Sequence, residues 1–323
     1  MKIYLLIGLL TLVCELLYFR LAERYRIIDK PNLRSSHRHV TLRGGGIIFV
    51  IGVLLYTLFF GCPYPCFLAG LILISAISFA DDIRSVPSRI RILVHFAAML
   101  LMFRQWEILN IAQWPYVVIA LIVCTGIINA FNFMDGINGI TGGYALAVLI
   151  PLILLNTRTV FIDEPLLIVT GISLLVFCFF NFRKQARCFA GDVGSVSIAF
   201  ILLFMLGRLI IQSGDLWYLI FFAVYGTDAV LTICHRLLLH ENIFQPHRKH
   251  LYQLMANELQ IPHIIVSLTY FLLQLLISFG AIYCPINKWI YFAGVCLLLC
   301  AVYCLFMRKY YPLHEAYLKS AKS

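Results

Sequence analysis

Long apolar runs separated by short polar loops dominate this sequence, and they leave the chain few folds to choose from. The runs lie near residues 3–19, 44–60, 66–80, 91–103, 115–130, 140–156, 165–182, 194–212, 216–233, 262–283 and 289–307. Each approaches or reaches the ~20 residues that an α-helix needs to cross a hydrocarbon core. Of the 323 residues, 62% are apolar and only 12% charged, so a water-soluble domain of this composition would carry an almost wholly apolar surface. Lipid is the solvent such a surface requires. No ~10-residue segments of alternating polarity point to an outer-membrane barrel. The expected fold is therefore all-α, a polytopic integral membrane protein of about 11 transmembrane helices (10–11) forming a single domain over residues 1–323.

Most of the 11 cysteines, among them Cys14, Cys124, Cys178, Cys296, Cys300 and Cys304, lie inside apolar runs and read as small buried hydrophobes. Cys62 and Cys66 flank a Pro-rich turn where a disulfide could close. The first apolar run lacks a small-residue cleavage site and is expected to be retained as the first span.

An odd number of spans places the termini on opposite sides of the bilayer, and the basic residues choose between the two orientations. Loops near 20–43, 84–91, 183–187, 236–249 and 308–322 hold 20 of the 25 Lys and Arg residues. The other side keeps Lys2, Arg104, Arg158, Arg208 and Lys288. Positively charged loops stay in the cytoplasm, so the N-terminus is expected outside and the C-terminus inside. The net charge of +10 then reports topology and contact with anionic headgroups, and does not call for nucleic acid.

With the spans drawn, the unusual polar residues can be assigned to a face. They are Arg34-Ser-Ser-His37 with Arg43-Gly-Gly-Gly46, Asp81-Asp82, Asn129-x-x-Asn132-x-x-Asp135-Gly136, Phe189-x-Gly191-Asp192-x-Gly194-Ser195 and His247-Arg-Lys-His250. All five fall on the cytoplasmic side, in or beside loops near 20–43, 81–91, 129–139, 183–195 and 234–261. Asp81-Asp82 closes an apolar run, where carboxylates are costly unless paired, hydrated or metal-bound; as a solvated helix end they would mean little, and as a pair they suit a hard cation. Gly191-Asp192-Val-Gly194-Ser195 opens a span, so its backbone N–H groups can meet an anion, although Asp and Ser are also ordinary helix caps. Asn129, Asn132 and Asp135 recur at three-residue intervals along one helical stripe, a polar ladder suited to a ribose or a base edge. Arg43 and the His247–His250 cluster offer donors for phosphate oxygens, where a basic loop on anionic lipid is the plainer account.

Together these motifs resemble the polyprenyl-phosphate N-acetylaminosugar-1-phosphate transferase family, which includes the phospho-MurNAc-pentapeptide translocases and the initiating transferases of surface glycans. The resemblance runs from Lys30-Pro31 to about Gln253, with the motifs in the family's order. It implies that Asp81, Asp82 and Asp192 form a carboxylate centre around Mg²⁺, or Mn²⁺ in its place, with Asp192 the direct ligand and one Asp of the pair a candidate base. It implies that Phe189 stacks on uracil, that Asn132, Asp135 and Gly136 line the uridine site, and that His247, Arg248 and His250 approach the diphosphate and sugar. Asn138 stands where many relatives carry a second Asp, and Asp228 lies in a family-like stretch without an assigned role. The His-His-His triplet of the muropeptide enzymes is absent, which favours an initiating transferase.

The reaction so implied is transfer of an N-acetylaminosugar-1-phosphate from a UDP-N-acetylhexosamine to undecaprenyl phosphate with release of UMP, by direct attack or through an aspartyl-phosphate. A homodimer is one arrangement the family allows. The alternatives are the muropeptide translocase and, further off, a transporter, which would place its charges near the bilayer midplane in two related halves. A CDP-alcohol phosphotransferase would carry Ala-Arg two residues beyond Asp135-Gly136, where this chain has Gly139-Ile140.

Overall fold

The computed structural model describes residues 1–31, 36, 39–110, 114–243, 245 and 247–320, the last four by their backbone only. Arg34 and His37 of the first motif therefore lie outside the described residues. Twelve helices account for almost all of the ordered backbone: α1 Lys2–Tyr25, α2 Ile47–Phe60, α3 Pro65–Ile83, α4 Ser88–Gln105, α5 Trp114–Met134, α6 Ile140–Arg158, α7 Glu164–Asn181, α8 Gly191–Ser213, α9 Ala223–Leu238, α10 Leu251–Asn257, α11 His263–Tyr283 and α12 Lys288–Ser320. A 3₁₀ turn, Leu216–Phe222, leads into α9. Two short strands, β1 Ile28–Asp29 and β2 Thr41–Leu42, pair antiparallel with Ile28 opposite Leu42.

Each expected span falls on a helical segment, and among the described residues nine of these are long and apolar enough to cross a membrane. Of the remaining two, α2 has only 14 residues, and α4 carries Arg89, Arg91, His95 and Arg104 within its turns. Two boundaries differ from the expectation. The ninth span, read as one helix, is a 3₁₀ turn followed by α9. The last helix runs on to Ser320 because its polar end is held by packing on α10, which hydropathy does not register. The cysteines are all unbonded, Cys62 and Cys66 included, so the disulfide considered between them does not form.

The bundle is organised around α8, in which every residue from Val193 to Leu206 is buried. A helix that is apolar all round has no face for solvent and must sit inside its neighbours. The outer helices divide their surfaces instead. On α1, Ile7, Thr11, Glu15, Tyr18 and Ala22 recur at three- and four-residue steps and face inward, whereas Leu5, Leu9 and Leu16 are exposed. On α12 the exposed face carries Leu297, Leu298, Val302 and Leu305, side chains that suit acyl chains.

Antiparallel neighbours bring the C-terminal ends of α1, α3, α5, α7 and α9 together with the N-terminal ends of α2, α4, α6, α8 and α11. This end gathers the polar motifs. At the opposite end Tyr56 Oη donates to Asp163 Oδ2 at 2.6 Å, and Asn156 Oδ1 accepts from the N–H groups of Phe161 and Ile162 at 3.0 and 3.1 Å.

Candidate active site

The site is assembled where the chain segment after β2 lies beside the segment before α8. Phe189 N donates to Leu42 O at 2.8 Å, Gly45 N to Phe189 O at 2.9 Å and Gly46 N to Ala190 O at 3.1 Å. This pairing sets Arg43-Gly-Gly-Gly46 against Phe189-Ala-Gly-Asp192. The approach is possible only with glycine: a Cβ added at Gly46 would stand 2.2 Å from Gly194 Cα, and one at Gly194 would stand 2.6 Å from Gly46 Cα. Tyr18 Oη, from α1, donates to Arg43 O at 2.5 Å and holds the loop from behind.

Asp82, in the last turn of α3, accepts hydrogen bonds from Asp192 N and Val193 N, both at 2.9 Å. The first turn of α8 does meet an anion, as its N–H groups require, but that anion is the protein's own carboxylate. Arg43 joins the two acids, with Nε 2.6 Å from Asp82 Oδ1 and Nη2 3.2 Å from Asp192 Oδ1. Arg91, from α4, does the same on the other side, with Nη1 2.5 Å from Asp81 Oδ2 and 3.6 Å from Asp192 Oδ2. Asp81, Asp82 and Asp192 are thus brought together, with Asp192 between two guanidinium groups. Arg43, expected to face phosphate, is engaged with carboxylates.

The polar ladder on α5 separates into three environments. Asn129 is exposed, Asn132 Nδ2 donates to Ser195 Oγ at 3.2 Å, and Asp135, one residue beyond the helix, accepts from Thr141 Oγ1 at 2.6 Å. Burial pushes the Asp135 carboxyl up to about 7; the Thr141 hydroxyl opposes this, and the charges of Asp192 and Asp82 add to it. Gly136 lies beneath Tyr252, whose hydroxyl donates to Phe133 O at 2.9 Å. Asn138 faces away from the acids and donates its amide to Arg183 O at 2.9 Å.

The His-Arg-Lys-His motif is held mostly from inside. Asp228, buried on α9, accepts from Leu251 N at 3.0 Å, Tyr252 N at 3.4 Å, Tyr270 Oη at 2.7 Å and Thr232 Oγ1 at 3.2 Å, and lies 3.3 Å from His250 Nδ1. It closes the N-terminus of α10 and fixes His250, itself buried. Lys249 pairs with Glu241 and reaches Tyr311 Oη at 2.9 Å. Burial, with help from the neighbouring His250, Arg236 and Lys249, lowers the His247 pKa to about 3, so this ring is neutral at pH 7 and offers phosphate no charge.

A cavity of about 1190 Å³ opens at this end of the bundle, and Phe189 and Arg248 are the expected site residues in its wall, with Lys184, Asn138, Glu258 and His263 beside them. His247, His250 and the aspartate cluster do not line it. Among the described residues no three His, Cys, Asp or Glu side chains converge as a ligand set for a metal ion, since the arginines hold the carboxylates instead. The donor set nevertheless fits one. Asp81, Asp82 and Asp192 face Arg43 and Arg91, so the cluster lacks one positive charge when all three acids ionise. Carboxylate oxygens are what Mg²⁺ takes, with water and substrate oxygens completing its shell.

Arg91, Asp228 and Glu258 were not singled out as site residues by the sequence. In the sequence Arg91 is one more basic loop residue, Asp228 has only a family-like position, and Glu258 carries no signal.

Glycosyl transferase family 4 matches residues 64–210, a segment that contains Asp81, Asp82, Asn132, Asp135, Phe189 and Asp192. Over 300 residues, 86% of this chain and 83% of the relative, the chain is 25% identical to a Bacillus subtilis protein named probable undecaprenyl-phosphate N-acetylglucosaminyl 1-phosphate transferase. It is 24% identical over 300 residues, 89% of this chain and 92% of the relative, to the undecaprenyl-phosphate alpha-N-acetylglucosaminyl 1-phosphate transferase of Thermotoga maritima. The phospho-N-acetylmuramoyl-pentapeptide-transferase of the same organism is 27% identical over 224 residues, 64% of this chain and 71% of the relative.

Proposed function

With residues 64–210 matching glycosyl transferase family 4, this chain is a membrane phosphotransferase, and we propose that it moves an N-acetylhexosamine 1-phosphate from a UDP-sugar to undecaprenyl phosphate at the cytoplasmic face of a bacterial inner membrane. One observation carries this reading beyond the relatives' names: three aspartates and two arginines interlock at the end of the bundle where an aromatic- and arginine-lined cavity opens. A site that must hold several phosphates and a metal ion needs charges of both signs that can change partners.

Asp192, with Asp81 and Asp82, would hold Mg²⁺, which when bound supplies positive charge to the diphosphate oxygens. As substrate enters, Arg43 and Arg91 can turn from carboxylate to phosphate oxygens, to which a guanidinium binds bidentately. Phe189 offers a face for the uracil ring, and Arg248 offers charge from the same cavity wall. An oxygen of the lipid phosphate attacks the β-phosphorus, the bond to the UMP oxygen breaks, and UMP leaves with the electron pair. A phosphate monoester with a second pKa of ~6 is already largely dianionic at pH 7, so the attacking oxygen needs little help from a base. Positioning two phosphates in line then supplies much of the rate.

The test is purified protein in detergent with undecaprenyl phosphate, Mg²⁺ and a panel of UDP-sugars including UDP-MurNAc-pentapeptide, scored for UMP and for lipid-linked product. Product from a UDP-N-acetylhexosamine is expected. Product from the muropeptide nucleotide alone would reassign the enzyme to peptidoglycan synthesis, and no product from any donor would remove the reading.

A further inference from the structure

Glu258, at the C-terminal end of α10, belongs to the wall of the main cavity, and its side chain is only 4% exposed. One carboxylate oxygen does double service: Oε1 lies 3.0 Å from Arg248 Nη2 and 2.7 Å from His314 Nδ1. The other, Oε2, is buried and meets no donor among the described residues. An ionised carboxylate offers about four acceptor positions, and a buried one left unmade is costly. Arg248 and His314 both meet Oε1 and so leave Oε2 without a donor among the described residues. The wall of a ligand cavity is a place where such a vacancy can be filled by the ligand.

We infer that Glu258 Oε2 accepts a hydrogen bond from a pyranose hydroxyl of the donor sugar, which makes Glu258 a specificity-determining residue for an unsubstituted, neutral hexosamine. The inference rests on the transferase reading above. Phe189 and Glu258 line one cavity, so the aromatic base and the sugar of a nucleotide sugar each find a matching group in it. Arg248 is paired with the same carboxylate and stands ready for the phosphate between them. A hydroxyl donates to a carboxylate without ambiguity of direction, whereas an ether at the same carbon has no proton to give. A substituent that itself carries a carboxylate would also meet the charge of Glu258.

Steady-state kinetics on UDP-N-acetylhexosamine and its 3-, 4- and 6-deoxy analogues test this. The wild type is expected to disfavour one analogue by roughly 100-fold or more in kcat/KM, because a site built to bond a hydroxyl rejects a ligand lacking it. In Glu258→Ala that ratio should collapse to about threefold, with the ratios for the other two analogues unchanged. Equal loss on the parent sugar and on all three analogues would mean that Glu258 only positions Arg248, and would overturn the inference while leaving the transferase reading in place. Should Glu258→Ala fail to fold, Glu258→Gln decides: the ratio falls by about tenfold if the inference holds and stays at the wild-type value if it does not. Wild-type protein that uses no UDP-sugar at all would defeat the transferase reading first, and this inference with it.

Discussion

Asp192 is the residue on which the site turns, because its two carboxylate oxygens face different arginines and its backbone N–H is held by Asp82. Asp192→Asn keeps the volume and removes the charge, so the helix cap survives while the centre loses an acceptor for cations. Turnover is expected to fall by more than the ~10–100-fold that follows loss of a metal ligand's outer partner, with expression and membrane insertion unchanged. Asp81→Asn should behave alike, and near-normal turnover of both in the UMP-release assay would take the carboxylates out of the mechanism. Asp135 makes a different prediction, about stability. Its carboxyl titrates near 7 in the folded protein against an ordinary 3.8, so the folded state holds the proton more tightly. The contribution is complete below pH ~4 and is lost as pH rises through ~7. Asp135→Asn stays neutral throughout. Metal-free wild type should therefore melt progressively lower than this variant between pH 5 and pH 8, by an amount approaching ~4 kcal/mol at most. A constant difference in melting midpoint across that range would show that the carboxyl is not held protonated.

At the scale of elements, the site depends on how closely the N-terminal ends of α2 and α8 approach. Gly194→Ala would place a methyl 2.6 Å from Gly46 Cα and 2.8 Å from Ala190 Cβ, neither of which can yield without moving backbone. The substitution should part the two helix starts and draw Arg43 away from Asp82 and Asp192. Activity is then expected to fall by at least ~100-fold, since displacement of about 1 Å can cost that much, while Gly126→Ala, which meets nothing within 4 Å, should be silent. Full activity in Gly194→Ala would show that the close approach is not needed. The same contact explains what was legible beforehand. Apolar runs predicted nearly every helix, because lipid exposure and burial both demand apolar side chains over the same length. The motif residues could be assigned to one end, because they sit where those runs stop. Their partners could not be. That Asp82 caps α8, that Arg91 rather than only Arg43 binds the acids, and that Asp228 holds α10 depend on segments 110, 10 and 23 residues apart in sequence meeting in space. Hydropathy carries no record of such meetings, and it likewise gave no hint of the polar helical end of α12 that holds Glu258.

For the molecule as a whole, the polar motifs lie at one end of the bundle, and the excess of basic loops is the ground for proposing that this end faces the cytoplasm. The assignment is open to a direct test. Single cysteines at Ser36, Ser88, Gln185 and Gln245 occupy loops and helix starts at the motif-bearing end, the last three exposed. Thr157 and Ser213 are exposed where α6 and α8 finish, at the other end. The native background must be cysteine-free, because Cys62 is exposed in the loop between α2 and α3 and would label on its own account. In intact cells an impermeant thiol reagent should modify probes at Thr157 and Ser213 and spare the other four, which should react only after the membrane is opened. A UDP-sugar is a multiply charged molecule that does not cross a bilayer unaided, so a site that consumes it must face the compartment where it is made. The cavity holding Phe189, Arg248 and Glu258 opens at the end that Gln185 marks. Labelling of two or more of the four inner probes from outside would turn that cavity toward the wrong compartment, and the aspartate–arginine cluster, however well built, would have no nucleotide sugar to act on.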